Sequence, residues 1–283
     1  MKNFTLLAVQ GPDDTPASLA PLADAASANN GRLAVLHVGP VPLLPYSMGI
    51  APYGATMVPD SWIAERNEMA EKLAEHQTKT REYLQQQGLT GEVSTLSVEP
   101  AAMHDLVAMR AIFADISIVQ DSLRAYDVAF DDVIYGLLFE SPCPVMLNVK
   151  PHSKALAPEN VLIAWNSSLP AARAVRAALP FLKSAKEVII ACFDAERLQS
   201  EAGENPGADL ATWLSHHGCR VTVQEYATGQ KRVADAILER AQESTADLVV
   251  MGAYGRHRWN ERLFGGTTLS MIKQQDMAVL LAH

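Results

Sequence analysis

The sequence predicts an α/β protein of two tandem, doubly wound (Rossmann-like) parallel sheets, each five-stranded in the order 3-2-1-4-5. Three observations carry that expectation. Short apolar runs alternate with longer helical patterns along the whole chain, as in βαβ units whose strands are buried on both faces. The pattern occurs twice: Ala114-Asp115-Ile-Ser-Ile-Val119 matches Ala246-Asp247-Leu-Val-Val-Met251, and Pro144-Val-Met-Leu147 matches Ala278-Val-Leu-Leu281. The chain has 283 residues, 48% hydrophobic and 19% charged, which suits two domains of ordinary size with ample core. Right-handed crossovers then require a doubly wound sheet.

Taken in order, residues 4–10 read as a strand. Asp13–Asn30 is an Ala-rich helical stretch, with a start signal at Asp14-Thr15-Pro16. A strand at Leu33–Val38 precedes a Pro-, Gly-, Met- and Tyr-rich stretch, 39–60, which reads as an ordered loop or as cover for a cleft or partner. A long helix, Ser61–Gln87, stops at Gly88. Strand 92–98, helix 101–113, strand Asp115–Val119, helix Val128–Glu140 and strand Cys143–Val149 complete a first domain, 1–149. Residues 150–158 read as a linker. The second domain, 159–283, repeats the order. It has strand Asn160–Trp165, helix Pro170–Lys183, strand Glu187–Phe193, helix Ala208–His217, strand Arg220–Tyr226 and helix Arg232–Glu243. Strand Leu248–Met251, helix Thr267–Lys273 and strand Ala278–Ala282 follow.

A net charge of −9 argues against nucleic acid or an anionic membrane as partner. No apolar run approaches the roughly 18 to 20 residues of a membrane span, and the apolar stretch after Met1 is too short for a signal peptide. Cys143, Cys192 and Cys219 fit buried thiols in a reducing cytoplasm.

The stretch that points to chemistry is 246–268. An apolar strand runs into Met251-Gly252, then Gly255 and, nine residues on, Gly265-Gly266-Thr267-Thr268 at the start of a helix. Glycines let a guest approach the backbone, and a helix N-terminus offers unpaired N–H groups with partial positive charge. Arg256, His257 and Arg258 lie in the same loop of an otherwise acidic chain. A phosphate is the natural guest, with an ordinary solvated loop as the alternative. Neither a Walker loop nor a dinucleotide fingerprint is present. With the strand order 3-2-1-4-5, the first and fourth strands are neighbours at the switch point where such sheets bind ligands. In the second domain those strand ends are Asn166-Ser167-Ser168 and Gly252–Gly255, so topology and glycines indicate one nucleotide site.

Met251-Gly252-x2-Gly255-x9-Gly265 resembles the ATP-binding signature of the universal stress protein family, Gly-x2-Gly-x9-Gly followed by Ser or Thr. Here Gly266 takes the hydroxyl position, and the hydroxyls come one and two places later. The strand end Ile163-Ala164-Trp165-Asn166-Ser167-Ser168 and, in the first domain, Leu36-His37-Val38 are also similar to the family. The resemblance implies a tandem universal stress protein. Its second domain would bind ATP, with Mg²⁺ carried by the phosphates, in a regulatory stress-response role. Ala164, Asn166, Cys192, Phe193, Met251, Gly252, Gly255, Arg256, Gly265, Gly266, Thr267 and Thr268 are the implied binding residues. Asn166 stands where nucleotide-binding members have Asp, and a helix N-cap is its other reading. Burial is the other reading of Cys192 and Phe193, and a solvated loop acid that of Asp194. His257 and the pair His216-His217 are weak grounds for catalysis or a metal. In the first domain Gln120-Asp-Ser-Leu-Arg-Ala-Tyr-Asp127 replaces the glycine loop, making that copy degenerate. Gly252→Val is expected to abolish ATP binding while the fold persists. A slow ATP hydrolase or a nucleotide-free interaction module are the competing functions. The domains are expected to pair as an intramolecular pseudo-dimer, with a homodimer as a further state.

Overall fold

A computed structural model of the protein describes residues 3–41, 58–194, 207–253 and 266–283. The first half contains β1 (Thr5–Gln10), α1 (Ala20–Ala28), β2 (Arg32–Pro40), α2 (Asp60–Gln86), β3 (Val93–Val98), α3 (Pro100–Ala111), β4 (Ile116–Val119), α4 (Asp127–Phe139) and β5 (Val145–Leu147). The second half contains β6 (Asn160–Trp165), α5 (Leu169–Ser184), β7 (Glu187–Phe193), α6 (Ala208–His216), β8 (Val221–Tyr226), α7 (Val233–Glu243), β9 (Leu248–Gly252), α8 (Gly266–Lys273) and β10 (Val279–Ala282). The expected boundaries hold to within a few residues except at the first helix. There Thr15-Pro16 opens a 3-10 turn, Pro16–Leu19, before α1 begins. Asp14 does not cap it; its carboxylate turns back to accept from the Gly11 N–H at 2.9 Å.

The strands lie in the order β3-β2-β1-β4-β5-β10-β9-β6-β7-β8. Each half therefore has the order 3-2-1-4-5, with parallel pairing throughout. The two expected sheets are joined into one. β5 and β10 pair antiparallel, Met146 opposite Leu280 and Val145 opposite Leu281. Both are wholly buried three- and four-residue strands. Apolar strands of this kind cannot leave an edge in water without unpaired N–H and C=O groups, and each supplies the other's edge.

Alternation along the strands sorts the side chains into two cores. Leu6, Ile118, Met146, Ile163, Val250 and Leu280 pack under α1, α5 and α6. Leu7, Val119, Leu147, Leu162, Val249 and Leu281 pack under α3, α4, α7 and α8. Both cores cross the junction between halves. Ala155, in the connecting segment, is fully buried in the first of them. The repeated Ala-Asp pair does the same work twice. Asp115 accepts from the Thr5 N–H at 2.7 Å, and Asp247 accepts from Glu159 and Asn160 N–H at 2.8 and 3.0 Å. Each carboxylate thereby pins the start of its half's first strand beside the fourth.

Candidate functional site

In the second half, β6 and β9 are neighbours, with Ala164 beside Met251. Their carboxyl ends form the topological switch point. Beyond Trp165 the chain turns sharply into α5. Asn166 is exposed, and its Oδ1 accepts from the Ser168 N–H at 3.2 Å. Ser167 adopts φ 55°, the left-handed region that non-glycine residues seldom enter. The N-cap of α5 is Ser168, whose Oγ accepts from the Ala171 N–H at 3.2 Å. Asn166 therefore shapes the turn before the helix, and the expected N-cap role passes to Ser168. Ser168 is followed by Leu169-Pro170, and Pro in the first turn is a start signal that could have identified the cap.

Gly252 ends β9 against this turn. A Cβ there would come within 2.4 Å of the Ala171 nitrogen and 2.7 Å of the Pro170 carbonyl carbon. This glycine is required for packing of β9 on the α5 N-terminus, whatever else it does. Gly252→Val therefore disturbs the strand–helix contact itself, which corrects the expectation that the fold would persist unchanged. Gly266 is the opposite case. It opens α8, is exposed, and a Cβ would meet no described residue within 4 Å. Thr267 is half-buried and Thr268 buried on the first turn of the same helix. β9 and β10 are parallel, so α8 must start on the side of the sheet where β9 ends. Gly255, Arg256, His257, Arg258 and Gly265 lie outside the described residues.

At the end of β7, the Cys192 thiol is fully buried, and burial, with Glu225 adding, pushes its pKa up to about 11. It is a packing group, not a nucleophile. Phe193 stacks on Tyr226 of β8, with centroids 5.5 Å apart. Asp194, at φ 51°, is committed to Thr228: Oδ1 accepts from its N–H at 2.9 Å and Oδ2 from its hydroxyl at 2.6 Å. It is not a freely solvated acid; it ties the β7 end to the chain beyond β8. Thr228 carried no signal in the sequence.

The equivalent corner of the first half is closed. Residues Asp121–Ala125 form a 3-10 turn over the end of β4. The Ser122 hydroxyl donates to Asp14, which is itself held on Gly11. Burial raises the Asp14 pKa, partly opposed by the Ser122 bond. Beside it Asp13 accepts from Lys72 at 2.5 Å and from the Tyr126 hydroxyl at 2.7 Å. Those two bonds hold the Asp13 carboxyl below its usual range, while burial and Asp13 push Tyr126 up to about 12. Side chains and carboxylates fill this corner of the first half. Elsewhere, His217 packs on Trp213, centroids 4.2 Å apart, which gives one member of the His216-His217 pair a structural role.

Residues 158–283 match the model of the universal stress protein family, and this segment is a universal stress protein domain. The whole fold is similar to that of a universal stress protein from Archaeoglobus fulgidus DSM 4304, with TM-score 0.68 at 18% identity, covering 99% of this chain and 96% of that one. It is also similar to a putative universal stress protein from Pseudomonas aeruginosa UCBPP-PA14, with TM-score 0.56 at 18% identity, covering 99% and 93%. No curated protein matches the sequence. No described helix is long and apolar enough to cross a membrane.

Proposed function

We propose that the protein is a cytoplasmic ATP-binding regulator of a stress response, with one nucleotide site, in the second half. The observation that carries this reading is the contrast between two equivalent corners of one sheet. In the first, Asp14, Ser122 and the 121–125 turn close the switch point. In the second, Gly252 ends β9 and Gly266, against which no described residue packs, opens α8. Backbone N–H groups at a helix N-terminus favour phosphate through both hydrogen bonding and the helix dipole. Gly266, Thr267 and Thr268 would face the phosphates, with Gly255, Arg256 and Gly265 in the intervening loop. Mg²⁺ would be held chiefly by the phosphate oxygens. Ala164, Asn166, Cys192, Phe193 and Met251 would flank the nucleoside, mostly through backbone.

The chemistry this reading requires is binding, with slow ATP hydrolysis as the competing activity; the carboxylate at the β7 end is held on Thr228. Several charge-assisted bonds of about 1.5–3 kcal/mol each suffice for micromolar affinity. The halves would act as an intramolecular counterpart of a dimer through β5 and β10. A nucleotide-free interaction module is the second reading, favoured by Gly266 standing where a hydroxyl would serve phosphate. Denaturing the purified protein and analysing released small molecules by mass separates the two. Near-stoichiometric ATP or ADP is expected. An empty protein that takes up no added ATP–Mg²⁺ in calorimetry overturns the nucleotide reading in favour of the module.

A further inference from the structure

We propose that the first half sets the phosphate affinity of the second by gripping the far end of α8, with Arg124 as the positioning residue. This rests on the nucleotide reading above but concerns a different part of the molecule. Arg124 belongs to the 121–125 turn that closes the first-half corner, and its side chain is only 13% exposed. Its guanidinium lies 4.5 Å from the Phe130 ring centroid and donates to Asp121 at 3.3 Å. Of the remaining nitrogens, one crosses to the other half and one stays within the first, on the residue after β5. Nη1 donates to the Ile272 carbonyl at 2.8 Å, and Nη2 to Asn148 Oδ1 at 2.8 Å. Asn148, buried and at φ 61°, passes the grip on. Its Nδ2 donates to the Gln274 and Met277 carbonyls at 3.0 and 2.9 Å.

The carbonyls so held lie in the last turn of α8 and just beyond it. Gln274 completes the cap, with Nε2 on Met271 O at 3.3 Å and on Met277 O at 2.8 Å. The last carbonyls of a helix have no partners within it, and a cation there complements the dipole. α8 is eight residues long, so its two ends are little more than two turns apart. A rigid rod of that length carries any tilt at its C-terminus directly to the N–H groups of Gly266–Thr268. The first-half corner thus keeps a function despite being closed: its turn presents the cation that orients the working helix. Because binding linkage is reciprocal, occupancy at Gly266 should in turn tighten the Arg124 contact.

The test uses the full chain with Arg124→Met, which keeps length and apolar stacking, and Arg124→Lys, which keeps charge. ATP–Mg²⁺ affinity and amide exchange of 266–277 are measured on both and on the wild type. Expected are affinity about tenfold weaker for Arg124→Met, within the 5- to 150-fold usual for coupled sites, partial recovery in Arg124→Lys, and faster exchange in α8 with unchanged exchange in α5. Equal affinity in all three proteins overturns the coupling. If the wild type binds no ATP, the nucleotide reading fails by itself. The grip is then decided by exchange: α8 amides unchanged in Arg124→Met overturn it, and selective loosening of α8 supports it.

Discussion

At the scale of single residues, two positions at the second-half corner can be altered without disturbing their neighbours' backbone. At Gly266 no described residue stands within 4 Å of where a side chain would begin. Gly266→Ser places a hydroxyl on the first turn of α8 where the family signature has one, and it removes a flexible glycine from a helix. A gain of about 0.5–1.5 kcal/mol in ATP binding is expected, roughly two- to tenfold. Titration calorimetry checks it, and unchanged or weaker binding would detach the phosphates from α8. Ser168→Ala removes the α5 cap, which holds the Ala171 N–H at 3.2 Å. It should cost about 1 kcal/mol of stability, read as a lower urea midpoint at constant slope. Gly252 suits neither purpose, since its missing side chain is what lets β9 meet Pro170 and Ala171.

At the scale of elements, the packing of α2 on β2 contains a titratable group without compensation. His37, in the middle of β2, is buried; its Nε2 meets the Thr80 hydroxyl at 3.0 Å and its Nδ1 has no partner among the described residues. The His76 ring of α2 stands edge-on 6.0 Å away. Burial first, then His76, lowers the His37 pKa from 6.5 to about 4. Between those values the unfolded chain binds the proton and the folded one does not. Stability is therefore full above about 6.5 and falls as pH drops toward 4, by up to about 3 kcal/mol. His37→Asn should flatten that slope in urea titrations from pH 7 to 4; an unchanged slope assigns it to other groups. Elements like these were legible from the sequence where one local rule sufficed. Apolar strands announced themselves, as did the stop at Gly88. The turn at 121–125 was not legible as a turn, because Arg124 is held there by Asn148 and Ile272, contacts separated by 24 and 148 positions. Asn166 and Ser168 both suit an N-cap by type; Pro170 in the first turn favours Ser168, and the geometry assigns the cap to it. Gly252 read as a binding glycine because spacing records close approach but not what approaches.

For the molecule as a whole, the antiparallel joint between β5 and β10 determines how the chain should unfold. Two separate domains would melt separately, and the repeated pattern in the sequence suits that outcome as well as any other. The sheet argues otherwise. Both hydrophobic layers run through the joint: Met146 and Leu280 in one, Leu147 and Leu281 in the other. Separating the halves would bare two wholly apolar edge strands together with their unpaired N–H and C=O groups. A single calorimetric transition is expected, with van't Hoff and calorimetric enthalpies in agreement. Leu280→Ala sharpens the test. The side chain is fully buried opposite Met146, so its truncation should cost about 2–5 kcal/mol. If the halves form one cooperative unit, that loss lowers the whole transition and leaves it single. If they are independent domains that merely touch, the second-half transition falls alone and the trace splits in two. The grip of Arg124 on α8 requires the first outcome, since a first half that melted independently could not hold the helix in register.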